Sequence, residues 1–259
     1  MRVRPTSIAG LAAAVATAIA ASVAVAGPTV TGMDGNTQAI DVKLSPQRLS
    51  KATLTPVALK VTTKTSSTTA ANGVPVPAVR ALVDFDKNTK LFTKGIPTCD
   101  PAKLQNTSTE AALAACGKAK IGAGSGSALL PVGTTVYTEP TVVTAFNGIP
   151  QGGEPVVLLH AYGSAPVQTT LVLVGAVSGY DQEGYGPRLD IGIPLIAGGS
   201  GALTDFQVTI DKKYTYKGKR RSFVSAKCRP QKLKARGAFT YRDGETLTAY
   251  STQTCTQAK

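Results

Sequence analysis

Short runs of alternating apolar and polar residues recur roughly every 10 to 14 residues from Gln38 to Thr252, punctuated by Gly and Pro. No other feature constrains the fold as much. Period-two alternation places every second side chain on one face of a strand, so each run can bury one face and wet the other. Gln38–Leu44 sets Ile40, Val42 and Leu44 against polar partners, and Val57–Thr63 does the same with Val57, Leu59 and Val61. Further strands are expected over Val79–Phe85, Ala128–Val136, Thr141–Phe146, Val156–Tyr162, Val167–Val177, Arg188–Ile193 and Leu203–Ile210. The last part adds Lys213–Lys217, Ser222–Cys228, Ala235–Tyr241 and Thr246–Thr252, with Arg242-Asp243-Gly244-Glu245 as a hairpin turn in which Asp-Gly supplies positive φ angles. A βαβ fold would need a helix between successive strands. Only one helix is legible: Thr107 and Glu110 stand at capping-box spacing before Ala111–Ala115. The expectation is an all-β chain, an antiparallel β-sandwich with one short helix near 108–116. Abundant Val and Thr, 26 Gly, 16 Pro and no Trp agree with it.

The N-terminus reads differently. Arg2 and Arg4 precede an apolar run from Ile8 to Val25, and Ala24-Val25-Ala26 matches the small-x-small pattern cut by signal peptidase. A membrane anchor is the rival for about 20 apolar residues, but the small-residue composition favours a signal peptide over 1–26. The mature chain, 27–259, is then one β-sandwich domain with a possible subdivision near 148–155, where Gly148, Pro150, Gly152, Gly153 and Pro155 cluster. Export puts Cys99, Cys116, Cys228 and Cys255 in an oxidising compartment, where disulfides are the default. Pairing within each sequence neighbourhood is expected, although four cysteines allow three connectivities. Each bridge would stabilise by roughly 3 kcal/mol. Zinc is disfavoured, since there is no CxxC pair and His160 is the single histidine.

Several stretches carry a resemblance. Asp84-Phe85-Asp86-Lys87-Asn88 leads to Gly95-Ile96-Pro97-Thr98-Cys99 and an Ala-rich segment ending at Cys116. Ile193-Pro194, Ala197-Gly198-Gly199, Leu203-Thr204-Asp205-Phe206, Tyr214 to Lys219 and Arg221 to Cys228 follow, and the chain closes with Phe239, Asp243-Gly244 and Cys255. Together they resemble a family of exported proteins from high-GC Gram-positive bacteria, over most of the mature chain. The resemblance implies export, two Cys pairs and a β-sandwich. That family has no established activity, so it implies no functional residues.

Charge points to a partner class. Without Arg2 and Arg4 the chain keeps 26 Lys and Arg against 15 Asp and Glu, a net +11. Residues 212–236 hold eleven bases and no acid, so this one segment equals the whole net charge. On extended strands Lys213 and Lys217 share a face, with Tyr214 and Tyr216 on the other. Val224, Ala226 and Cys228 are expected inside, with Arg221, Phe223, Ser225 and Lys227 outside; Lys232, Lys234 and Arg236 project together. With Lys219 and Arg220 these form a candidate polyanion site: Lys213, Lys217, Lys219, Arg220, Arg221, Lys227, Lys232, Lys234 and Arg236. An anionic cell-wall polymer or a membrane surface would suit it. The competing reading is a guard against edge-to-edge aggregation and an aid to solubility. Sequence-specific nucleic-acid recognition is not expected, for lack of any matching motif.

Catalysis is not expected. His160 is the single imidazole available to a serine hydrolase and lies within a strand pattern, while Gly124-Ser125-Gly126 and Gly199-Ser200-Gly201 lack the nucleophile-elbow frame. Gly122–Gly126 reads as a turn and not a phosphate loop. Asp84, Asp86 and Asn88 match the first positions of a calcium loop, but Thr89 stands where Gly is needed and Gly95 where Glu should close the site. Neither metal nor cofactor is expected. The alternative functional reading is a carbohydrate-binding module or hydrolase using the 180–187 loop, which brings together Tyr180, Asp181, Glu183 and Tyr185.

Overall fold

The structure is a computed structural model and describes residues 28–258. The expected signal peptide, 1–26, lies outside the described residues. The strands are β1 (Thr29–Thr31), β2 (Asn36–Ser45), β3 (Arg48–Ser50), β4 (Thr55–Ser67), β5 (Ala78–Asp86), β6 (Thr89–Leu91), β7 (Lys120–Val132), β8 (Thr135–Asn147) and β9 (Val156–Gly163). They continue with β10 (Thr169–Gly179), β11 (Tyr185–Gly192), β12 (Ala202–Ile210), β13 (Lys213–Tyr216), β14 (Lys219–Ser222), β15 (Val224–Ala226), β16 (Lys232–Tyr241), β17 (Thr246–Thr254) and β18 (Thr256–Ala258). The one α-helix among the described residues, α1, is Thr109–Cys116.

The all-β expectation holds, but the sandwich does not emerge. Fourteen strands form one antiparallel sheet whose main path runs β1-β2-β4-β12-β7-β8-β9-β10-β11-β5-β16-β17, and it curls until β17 lies against β2, a nearly closed barrel. Side chains bridge that seam: the backbone N–H of Val42 donates to Ser251 Oγ at 3.0 Å and that of Leu44 to Gln253 Oε1 at 2.6 Å. Gln253 Nε2 returns a bond to the Leu44 carbonyl at 2.8 Å. Backbone groups that a sheet edge would leave unpaired thus find partners without a full ladder. Segment 148–155 joins β8 and β9, which are hydrogen-bonded neighbours in this sheet.

Alternation sorts the side chains as the sequence pattern requires. Val83, Phe85, Leu159, Leu173, Val208 and Phe239 point inward with Ile40 and Leu59 to fill the barrel, each full burial contributing about 1.5–3 kcal/mol. A second cluster lies outside the wall, where Leu104, Ala112 and Cys116 pack α1 and the turn before it onto Phe146, Leu158 and Val172. Gly122, Gly124 and Gly126 are not a turn. They lie inside β7, paired with Ile210, Val208 and Phe206, and a side chain at Gly124 would overlap the Gln207 carbonyl. The missing side chains let the wall fold tightly at this corner. The turn comes later, at Gly133, which interrupts the strand expected over 128–136.

Two local expectations shift by a residue or two. Ser108, not Thr107, caps α1 by accepting from the Ala111 N–H at 3.3 Å, while Thr107 Oγ1 donates to the Leu104 carbonyl at 2.8 Å. In the turn after β16 only Gly244 has positive φ, and its N–H donates to the Tyr241 carbonyl, so Asp243 keeps an ordinary backbone.

Candidate polyanion-binding end of the barrel

Strand registers bring Ser45, Asp86, Asn147, Gly179, Ile210, Lys232 and Thr254 to one end of the barrel. The connection from Ile210 to Lys232 therefore crosses that end, and it carries most of the basic segment. β13 and β14 form a separate hairpin there, with Lys213 opposite Ser222 and Tyr216 opposite Lys219. Tyr214 and Tyr216 share one face as expected. The Tyr214 hydroxyl donates to the carbonyls of Phe92 at 3.2 Å and Lys94 at 3.0 Å, and the Tyr216 ring lies against Gly95. Ser222 Oγ donates to the Val57 carbonyl at 3.3 Å.

Phe223 corrects the expected alternation. It is buried in the barrel beside Val224, because the strand breaks between β14 and β15 and resets its phase. Ser225 is buried too, between β4 and β6. This inward Phe pins the hairpin to the barrel. The bridge Cys228–Cys255 ties the same end to the chain following β17, and β18 pairs in parallel with β3 beside it. Cys99–Cys116 is the other disulfide, joining α1 to the loop before it. The local pairing expected from sequence is the one observed, and it suits an oxidising compartment.

The nine candidate residues fall into two sets. Lys213, Lys217, Lys219, Arg220 and Arg221 are exposed on the hairpin, and none has an ion-pair partner among the described residues. Lys213, Arg220 and Arg221 line an open cleft of about 460 Å³ with Pro56, Tyr214 and Thr215, without an acidic side chain in its wall. Lys227, half-buried, and Lys232, exposed, lie nearby at the same end.

Lys234 and Arg236 serve a different purpose. Register sets Asp84 of β5 directly between Arg188 of β11 and Arg236 of β16. Arg188 grips Asp84 with both Nε and Nη2, at 2.6 and 2.9 Å, and Arg236 Nε adds a bond at 2.7 Å. Burial of Asp84, 2% exposed, opposes its ionisation, yet the two guanidinium groups overcome this and hold its carboxyl below the usual carboxylate range. Arg236 also donates to Glu183 at 2.7 Å and to the Tyr180 hydroxyl at 2.9 Å. The Tyr180 ring lies 3.6 Å from the Arg188 guanidinium, and Lys234 stands over the Tyr185 ring while donating to the Glu183 carbonyl. The 180–187 loop and the outer end of β16 are thus one internally satisfied cluster. Asp86 accepts from Asn88 and from the Lys234 N–H, so the acids of the calcium-like pattern serve turn and strand. Among the described residues no group of three or more His, Cys, Asp or Glu could hold a metal.

His160 lies on the outer face of β9 under the segment leading to α1. Its Nε2 is 3.0 Å from the Thr107 carbonyl and 3.1 Å from Thr107 Oγ1, and burial keeps it below the usual imidazole pKa. Sequence reasoning missed Arg188 and the tie of Arg236 to Asp84. The signal available was Asp84 in the outward phase of a strand whose inward side chains, Ala81, Val83 and Phe85, are all apolar. Its partners stand 104 and 152 residues away.

No family model matches this chain, and neither does any curated protein or solved structure.

Proposed function

We propose that this is an exported, non-catalytic envelope protein that binds anionic polymers through the hairpin end of its barrel. One observation carries the reading: the cleft beside the hairpin has three cationic side chains, Lys213, Arg220 and Arg221, and no acid in its wall. A chain of phosphodiesters presents charges at regular intervals, and cations held on a rigid hairpin can neutralise several without reorganising. Arg adds a planar, multidentate grip on phosphate oxygens. The barrel supports the site through Phe223, the Tyr214 hydroxyl bonds and the Cys228–Cys255 bridge, so ordering costs little on binding.

Co-sedimentation with cell-wall sacculi tests the reading. Changing Lys213, Arg220 and Arg221 together to Ser should abolish salt-sensitive binding and leave the melting temperature nearly unchanged, because these groups are exposed. Equal binding by this variant and the wild type at low salt would refute the assignment. Lys234 and Arg236 are poor choices for such a test, since Arg236 is bonded to Asp84 and Lys234 to the Glu183 carbonyl, so their loss would disturb the fold as well as the charge.

A further inference from the structure

The barrel interior contains a cavity of about 120 Å³ whose wall is apolar except for Thr63 and Thr65. Protein interiors rarely keep a void larger than a water molecule, and a lined apolar void of comparable size is known to stay dry and take an apolar guest. Barrels with more than eight strands have a lumen wider than their side chains fill. The wall follows β4 from Leu59 to Thr65, which at strand rise is about 20 Å. A small volume drawn out over that length is a narrow channel. It is too slender for a fused polycyclic ligand and suited to an unbranched hydrocarbon chain.

Access is uneven along the channel. Near the hairpin end the wall residues Leu59, Val157, Ile210, Phe223 and Val224 are buried and Leu91 is half-buried. Farther along, the inward side chains Val61, Thr63, Ala78, Leu203 and Phe206 retain accessible area, while Thr65 is buried and its hydroxyl donates to Gln38 Oε1 at 2.7 Å. Both threonines lie in this second stretch. Phe223, which anchors the basic hairpin, closes one end, and the other end carries the only polar atoms of the wall side chains.

We infer that the barrel binds a single unbranched acyl chain, entered from the side away from the basic hairpin, with its polar head near Thr63. This site is separate from the polyanion cleft and stands or falls independently of it. Fluorescence titration of the mature protein with cis-parinaric acid tests it. Emission should rise saturably, palmitate should displace the probe, and cholesterol should not. Val61→Phe, which fills the channel, should weaken probe binding at least tenfold, and Leu203→Phe gives a second filling variant should the first fail to fold. Lys60→Ala, on the outward face of the same strand, should bind like wild type. Absence of saturable binding, equal displacement by cholesterol, or undiminished affinity in a folded filling variant would overturn the inference.

Discussion

Asp84 is a buried carboxylate between two arginines, and removing its charge would leave both guanidinium groups without their shared partner. Breaking a buried pair from one side costs about 3 kcal/mol or more, so Asp84→Asn should lower stability by about 3 kcal/mol in a denaturant melt. The pH dependence has a definite sign. A carboxyl held below its ordinary value of 3.8 adds stability above that pH and loses it as pH falls through the lower folded value. Glu139 is the opposite case. It is buried, and Thr169 Oγ1 donates to its Oε2 at 3.2 Å while Oε1 has no partner among the described residues. Burial raises its pKa above 4.5, the Thr169 bond offsetting this only in part. The native state then holds a proton that the unfolded chain has released, and stability falls as pH rises from about 4.5 towards the raised value. Glu139→Gln should therefore gain melting temperature over wild type between pH 4 and pH 7.5, most at the upper end. A constant difference across that range would contradict a proton held on Glu139. Neither role was legible in the sequence. Asp84 looked like part of a calcium pattern and Glu139 carried no signal, because the groups that decide their ionisation come from distant strands.

At the level of elements, alternation was legible wherever one face of a strand is buried and the other wet, as in β16 and β17. It misled where the chain breaks phase. The reset at Phe223 turns an outward aromatic inward, and the inward glycines of β7 look like a turn because a strand without side chains has no alternation to read. The Cys228–Cys255 bridge closes a loop of 27 residues at the hairpin end. Replacing both cysteines by Ser should cost roughly 3 to 4 kcal/mol in the chain-entropy account, measured by chemical denaturation. If the bridge also orders the hairpin end, the amides of β14 and β15 should exchange faster in that variant, while those of β8 and β9 keep their protection. The seam gives a companion test. Gln253→Ala removes the acceptor for the Leu44 N–H and the donor to its carbonyl, and should destabilise by about 1 to 3 kcal/mol.

On the scale of the whole molecule, the continuous sheet could not be told from a sandwich by strand count or spacing, since both have alternating antiparallel strands. Closure depends on β17 meeting β2, ends of the chain about 200 residues apart, as the Val42–Ser251 bond shows. The barrel has two unlike ends, and the hairpin end collects residues 212–232 of the basic segment. For roughly five phosphate contacts, affinity for a linear polyphosphate should fall by about two orders of magnitude between about 50 and 200 mM salt. The most direct test of the central claim is hydrogen exchange with and without polyphosphate. Protection is predicted to gather on 212–222 and adjoining segments of the hairpin end, and to vanish in the Lys213, Arg220 and Arg221 to Ser variant. Protection centred on the opposite end of the barrel, or unchanged in that variant, would contradict the account.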